Sequence, residues 1–184
     1  MHMRLRSEHA KFVADKVAVD LLNCGFVKLK SGLEPVSEMA KELIVADIAR
    51  DNDLNAKARD LVEKQEDDIE FFQADRKQLF WMVKKRLAAE LGVKLSWEER
   101  LGDLAHQILD ELYEEDLIEY NVVENRVKNV IYHAIEEYLS RQSEIEDRVH
   151  EKITHYKRKV MYGTEEYEIL YDKLYEEELR KLGL

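Results

Sequence analysis

Histidines beside carboxylates are the first places to look for chemistry in this 184-residue chain. Asp103 and His106 stand at i, i+3 and Glu151 and His155 at i, i+4, so each pair shares one helix face. Two such pairs on facing helices could hold a metal ion, as Glu-x-x-His pairs do in di-iron bundles. Neither pair has that residue type and spacing, and no further carboxylates occupy the apolar stripes, so no metal or other cofactor is expected. Cys24 is the one cysteine and comes just before a helix-ending glycine. A reactive thiol wants a helix N-terminus or a cationic neighbour, and a helix C-terminus acts against it. The chain has no nucleophile elbow and no glycine-rich phosphate loop. Runs such as Asp67-Asp68, Glu114-Glu115-Asp116 and Glu176-Glu177-Glu178 read as solvated helix faces. The expectation is a protein that is not an enzyme.

Charge offers binding rather than catalysis. One basic stretch holds Arg76, Lys77, Lys84, Lys85 and Arg86 around Trp81, and a second holds Lys152, Lys157, Arg158 and Lys159. A basic helix with an exposed aromatic can grip a nucleic-acid backbone and stack a base. Cations also gather at helix C-termini for the dipole alone, and the chain carries a net charge of −11. Nucleic acid, held by Arg76, Lys77, Trp81, Lys84 and Lys85, is therefore the alternative partner rather than the leading one. The excess of acid lies beyond residue 92, where all nine tyrosines also fall, while all five phenylalanines precede it. Within that acidic half, Glu114, Glu115, Asp116 and Glu119 cluster beside Tyr113 and Tyr120. Acids near a helix C-terminus oppose the dipole by about 0.3–1 kcal/mol each, so local stability does not account for them. They are the candidate partner-binding surface, suited to a basic protein.

The elements that must position these groups repeat. Slid forward by 91 positions, Val13, Ala14, Val17 and Leu21 land on Leu104, Ala105, Ile108 and Leu112, and Val36, Ala40 and Ile44 land on Val127, Ile131 and Ile135. Leu54, Ala58, Val62 and Ile69 land on Ile145, Val149, Ile153 and Val160, and Leu91-Gly92 on Leu182-Gly183. The expected fold is all-α, with two tandem four-helix units related by internal duplication and packed together: residues 3–93 and 94–184, eight helices in all. Helix boundaries come from Ser7 to Asn23 with Gly25 after it, Pro35 in a first turn, a break at Asp51-Asn52-Asp53, a third helix to Phe72, and Asp75 to Gly92. The second unit has a capping box at Ser96 and Glu99, Asn121 before a sixth helix, Ser143 and Glu144 opening a seventh, and Thr164 capping the last. Leu79-Phe80-Trp81-Met82-Val83 is apolar all round where the matching stretch reads Leu170-Tyr171-Asp172-Lys173-Leu174. Trp81 and Met82 are therefore expected to be covered, at a contact between units or in a homo-oligomer.

Scarce proline and glycine with abundant charge favour helices over disorder. No apolar run reaches the ~20 residues of a membrane span. With one cysteine and no conventional signal peptide, the expected setting is the cytoplasm. The stretches Ile145-Glu146-Asp147-Arg148-Val149-His150-Glu151-Lys152-Ile153 and Tyr167-Glu168-Ile169-Leu170-Tyr171-Asp172-Lys173-Leu174-Tyr175-Glu176-Glu177-Glu178-Leu179 resemble the bacterial domain-of-unknown-function family 507. Met3-Arg4-Leu5 before an amphipathic helix is similar to that family's start. The resemblance is close in the second unit and loose in the first, where Lys84-Lys85-Arg86 stands in place of the tyrosine-rich closing helix. It implies a bacterial, cytoplasmic, helical protein and brings no catalytic residues. Sequence thus points to a protein-interaction or scaffold module with an unknown protein partner.

Overall fold

The computed structural model describes residues 5–64 and 75–181. A 3-10 turn (Ser7–His9) leads into α1 (Ala10–Asn23), β1 (Val27–Leu29), α2 (Leu33–Glu63), α3 (Arg76–Leu91), α4 (Trp97–Glu114), β2 (Ile118–Tyr120), α5 (Glu124–Thr154) and α6 (Glu165–Lys181). The described residues are mostly helical, but six helices stand where eight were expected. The offset of 91 reappears in the element bounds: β1 and α2 start and stop at the residues that map onto the ends of β2 and α5. The pairs Ile69/Val160 and Leu91-Gly92/Leu182-Gly183, and the third helix's end at Phe72, lie outside the described residues.

Two expected breaks are absent, for a physical reason. α2 runs through Asp51-Asn52-Asp53 because its buried stripe continues: Val36, Ala40, Ile44, Asp47, Ile48, Leu54, Ala58 and Val62 all face inward. Asp47 and Asp51 fill stripe positions as charges and are answered from other helices. Arg100 donates to Asp47 Oδ2 from Nε at 3.0 Å and from Nη2 at 2.6 Å. Arg100 also lies 3.5 Å from Asp51, and Lys84 stands 3.7 Å from the same carboxylate. Asp53 spends its carboxylate on Lys57, 2.8 Å away one turn on. Side chains used in ion pairs do not cap a new helix. α5 likewise runs past Ser143, carried by Ile135, Leu139, Gln142, Ile145 and Val149.

The expectation of an all-helical chain also misses a small antiparallel sheet. β1 and β2 pair as Val27 with Tyr120, Lys28 with Glu119 and Leu29 with Ile118. Lys28 and Glu119 are themselves offset partners, so the two strands are related about their own midpoint by a local two-fold. Three residues are too few for alternation to be read, and the pairing is long-range. Other signals were read correctly. Gly25 and Gly92 take positive φ after α1 and α3. Asp75 caps α3 by accepting from the Lys77 amide at 2.9 Å, and Thr164 accepts from the Tyr167 amide at 3.2 Å. Ser96 occupies the N-cap place of α4 without a side-chain bond, so the capping box does not form.

The chain divides into two compact units, Leu5–Ile135 and one that takes up the chain at Glu136. In the larger, α2 packs on α1, α3 and α4. Its core joins Val13, Val17 and Leu21 to Ile44, Leu101, Ile108, Leu112, Ile118 and Ile131, all essentially inaccessible. Each such side chain contributes about 1.5–3 kcal/mol by burial. In the smaller unit, Ile145, Val149 and Ile153 of α5 pack on Tyr167, Leu170 and Leu174 of α6.

Candidate interaction surfaces

α3 is the least settled helix in the larger unit. Of its sixteen residues only Lys84 and Ala88 are buried. Trp81 is 48% exposed and Met82 67%, so within this chain neither is covered as sequence reasoning expected. Five cations stand on α3 against one acid, Glu90. Four of the five are exposed; Lys84 is not. Its ammonium points at Asp51 and lies 5.3 Å from the Trp81 ring centroid. Arg76, Lys77, Phe80 and Trp81 line an open cleft of about 770 Å³ with Arg59 of α2. The side chains proposed for nucleic acid thus separate: Arg76, Lys77 and Trp81 line one cleft, Lys85 is exposed, and Lys84 is committed to the fold.

The acidic corner is built by the end of α4. Leu117 N–H bonds to Leu112 C=O at 2.9 Å and Asp116 N–H to Tyr113 C=O at 3.1 Å, which closes the helix as a Schellman motif. That closure needs a left-handed residue, and Asp116 supplies it with φ 58°. At the equivalent end of α1 the residue is Gly25, φ 87°. An aspartate at a position that favours glycine stores strain. Its carboxylate receives Lys30 Nζ at 2.5 Å and holds that ammonium above its ordinary pKa. Tyr113, Glu114, Glu115, Asp116 and Glu119 are exposed. Tyr120 is half-buried, its ring centroid 5.6 Å from that of Tyr113. Burial first, then the charges of Glu124, Tyr113 and Asp110, push the Tyr120 hydroxyl up. All six residues proposed from sequence therefore meet at one corner.

The histidine pairs read from sequence are not the ones formed. His106 turns to Asp110, 3.3 Å from Nε2, and to Glu124, 3.8 Å from Nδ1, rather than to Asp103. His155 directs Nδ1 to the carbonyl of Glu151 at 2.9 Å. Cys24 is half-buried and donates to the Leu21 carbonyl at 3.1 Å.

One carboxylate of the Glu176-Glu177-Glu178 run, expected from sequence to lie on a solvated face, is instead buried. Glu178 is 3% exposed and bonds to Lys152 and, at 2.9 Å, to Lys181. Those two lysines hold its carboxyl down at about 2. Elsewhere in the smaller unit, Tyr167 shares a 2.8 Å hydrogen bond with His150 Nδ1, and its ring stacks in line with Tyr171 and Tyr175. The available signal was position. Glu178 continues the stripe of Tyr167, Leu170 and Leu174, just as Asp47 continues that of α2.

The profile of one family, described as a protein of unknown function and designated DUF507, matches residues 3–184. The chain belongs to this family. DUF507 membership spans both compact units and assigns neither a reaction nor a partner. No curated protein matches the chain. No helix among the described residues is long and apolar enough to cross a membrane.

Proposed function

We propose that this DUF507 protein is a non-enzymatic protein-interaction module, and that α3 is its main docking surface. The observation that carries the reading is the exposure of Trp81 and Met82 on a helix with five cations and one acid. Large exposed apolar side chains rimmed by charge mark protein contacts, and aromatic anchors dominate such interfaces. The charge selects the occupant: an acidic amphipathic segment of a partner. The acidic corner at Tyr113, Glu114, Glu115, Asp116, Glu119 and Tyr120 would serve a basic partner, so the module would act as a scaffold between oppositely charged chains. A second copy of this chain could supply either complement.

The recurrence of element bounds and apolar register supports an origin by tandem duplication of units 3–93 and 94–184, with the outer surfaces free to diverge. One cysteine and the family resemblance favour a bacterial, cytoplasmic setting. A single-stranded nucleic acid is the competing occupant of α3, favoured by exposed Arg76, Lys77 and Lys85 beside Trp81. The test is affinity capture from the source cell with three baits: wild type, Trp81→Ala/Met82→Ala, and Glu114→Asn/Glu115→Asn/Asp116→Gly. The proposal expects the α3 variant to lose an acidic protein and the corner variant a basic one. Nuclease-sensitive capture that depends on Trp81 would select the nucleic-acid reading. Identical captures by all three baits would reject both surfaces.

A further inference from the structure

His106, Asp110 and Glu124 make a further constellation. His106 and Asp110 sit one turn apart on α4, and Glu124 is the first residue of α5. One donor atom from each comes within 4.8 Å of the others. Ligands around an ion at about 2.0–2.2 Å stand about 3.4 Å apart. Asp110 lies 3.3 Å from His106 Nε2 and Glu124 3.8 Å from Nδ1, and an ion would take one of those nitrogens with one oxygen of each acid. All three side chains are about half exposed, so rotation of the imidazole or of one carboxylate can bring donors that lie within 4.8 Å to ligand spacing. Among the described residues no lysine or arginine pairs with Asp110 or Glu124, so two carboxylates share a single imidazole.

The other half of the chain shows that the fold does not require these groups. At the same offset, Asp15, Val19 and Leu33 replace His106, Asp110 and Glu124, on helices with the same strand between them. An apolar pair has its counterpart in two acids, and a histidine faces both. Such a replacement leaves uncompensated charge at a place where packing did not ask for it.

We propose that His106, Asp110 and Glu124 bind a divalent transition-metal ion such as Zn²⁺. One imidazole nitrogen and two carboxylate oxygens form a three-ligand set with open positions for water or a partner's side chain. The imidazole selects Zn²⁺, Co²⁺ or Ni²⁺ over Mg²⁺ and Ca²⁺, which prefer all-oxygen shells. The ion would tie α4 to the start of α5 beside Tyr120 and reduce the negative field of the adjoining corner.

The experiment is calorimetric titration of the full chain with Zn²⁺, paired with visible absorption on adding Co²⁺. Wild type is expected to take up a single Zn²⁺ and to give the d–d bands of nitrogen and oxygen ligation. His106→Gln should weaken binding at least about tenfold, since loss even of groups that merely support a ligand costs 10–100-fold. Asp110→Val/Glu124→Leu should abolish binding and still fold, because it installs the residues of the other half; circular dichroism verifies that. Mg²⁺ should give no comparable heat. Zn²⁺ uptake that persists in Asp110→Val/Glu124→Leu, absence of uptake by wild type, or equal response to Mg²⁺ would each overturn the proposal.

Discussion

α3 and α6 occupy corresponding places after corresponding 31-residue helices, yet they are fastened by different chemistry. α6 lays Tyr167, Leu170 and Leu174 on Ile145, Val149 and Ile153. Its Tyr175 hydroxyl donates to Gln142, which in turn donates to Tyr138 at 3.1 Å. The positions matching Tyr138, Gln142 and Tyr175 on the other side are Asp47, Asp51 and Lys84. There the joint is ionic and is completed by Arg100 from α4. Both joints carry an ion pair, Glu178 with Lys152 in one and Asp51 with Lys84 in the other. The α6 joint adds a layer of buried apolar side chains and a neutral hydrogen-bond chain, whereas α3 buries two residues. Without a matching apolar layer, α3 leaves Trp81 and Met82 outside. The difference shows which of two matching helices leaves a face uncovered.

The comparison can be broken most sharply by trimming matched positions. Leu170→Ala removes a buried leucine and should cost about 2–5 kcal/mol. Its counterpart Leu79 is only half-buried, so Leu79→Ala should cost well under half as much. Equal losses in chemical unfolding would mean that the two joints are alike. Next in size is the ionic clamp. Arg100→Ala leaves Asp47, 9% exposed, with only the more distant Arg50 at 3.8 Å. The expected cost is about 1.5–3 kcal/mol for a charged hydrogen bond, and a double-mutant cycle with Asp47→Asn should show that the two losses do not add.

The smaller unit should carry an acid dependence that traces to Glu178. A carboxyl depressed to about 2 contributes stability that is fully present above its unfolded value of about 4.5 and is lost as pH falls toward about 2. Unfolding midpoints of wild type should therefore fall over that window, and Glu178→Gln should flatten the slope. An unchanged slope would remove Glu178 as its source. The smallest effect belongs to the corner. Asp116→Gly gives the left-handed position the residue that Gly25 already provides in α1, so stability should change by less than about 1 kcal/mol in either direction. A larger loss would mean that the Lys30 contact matters more than the backbone strain.

How much of this was legible in the sequence follows from the range of each interaction. Helix ends set by Asp75, Gly92 and Thr164 are local and were readable. The register shared by Val13 and Leu104 is periodic and was readable too. Asp51-Asn52-Asp53 has the composition of a break, and only Lys84 and Arg100, brought in by packing, make it helix interior. β1 and β2 are too short to announce themselves and pair across 91 positions. The acidic corner was found because its residues are neighbours in sequence, whereas Glu124 joins His106 and Asp110 only through the turn at β2. Trp81 and Met82 stood out against Asp172 and Lys173, but their exposure depends on how few α3 residues the ionic joint buries.

Site-specific photocrosslinking in the source cell tests the central claim most directly, with the photoreactive residue placed at Met82 in one protein and at its exposed counterpart Lys173 in another. The account predicts a discrete adduct to an acidic protein from position 82, diminished by salt and by Trp81→Ala, and none from position 173. Absence of an adduct at 82, or the same adduct from both positions, would contradict the assignment of α3 as the docking surface.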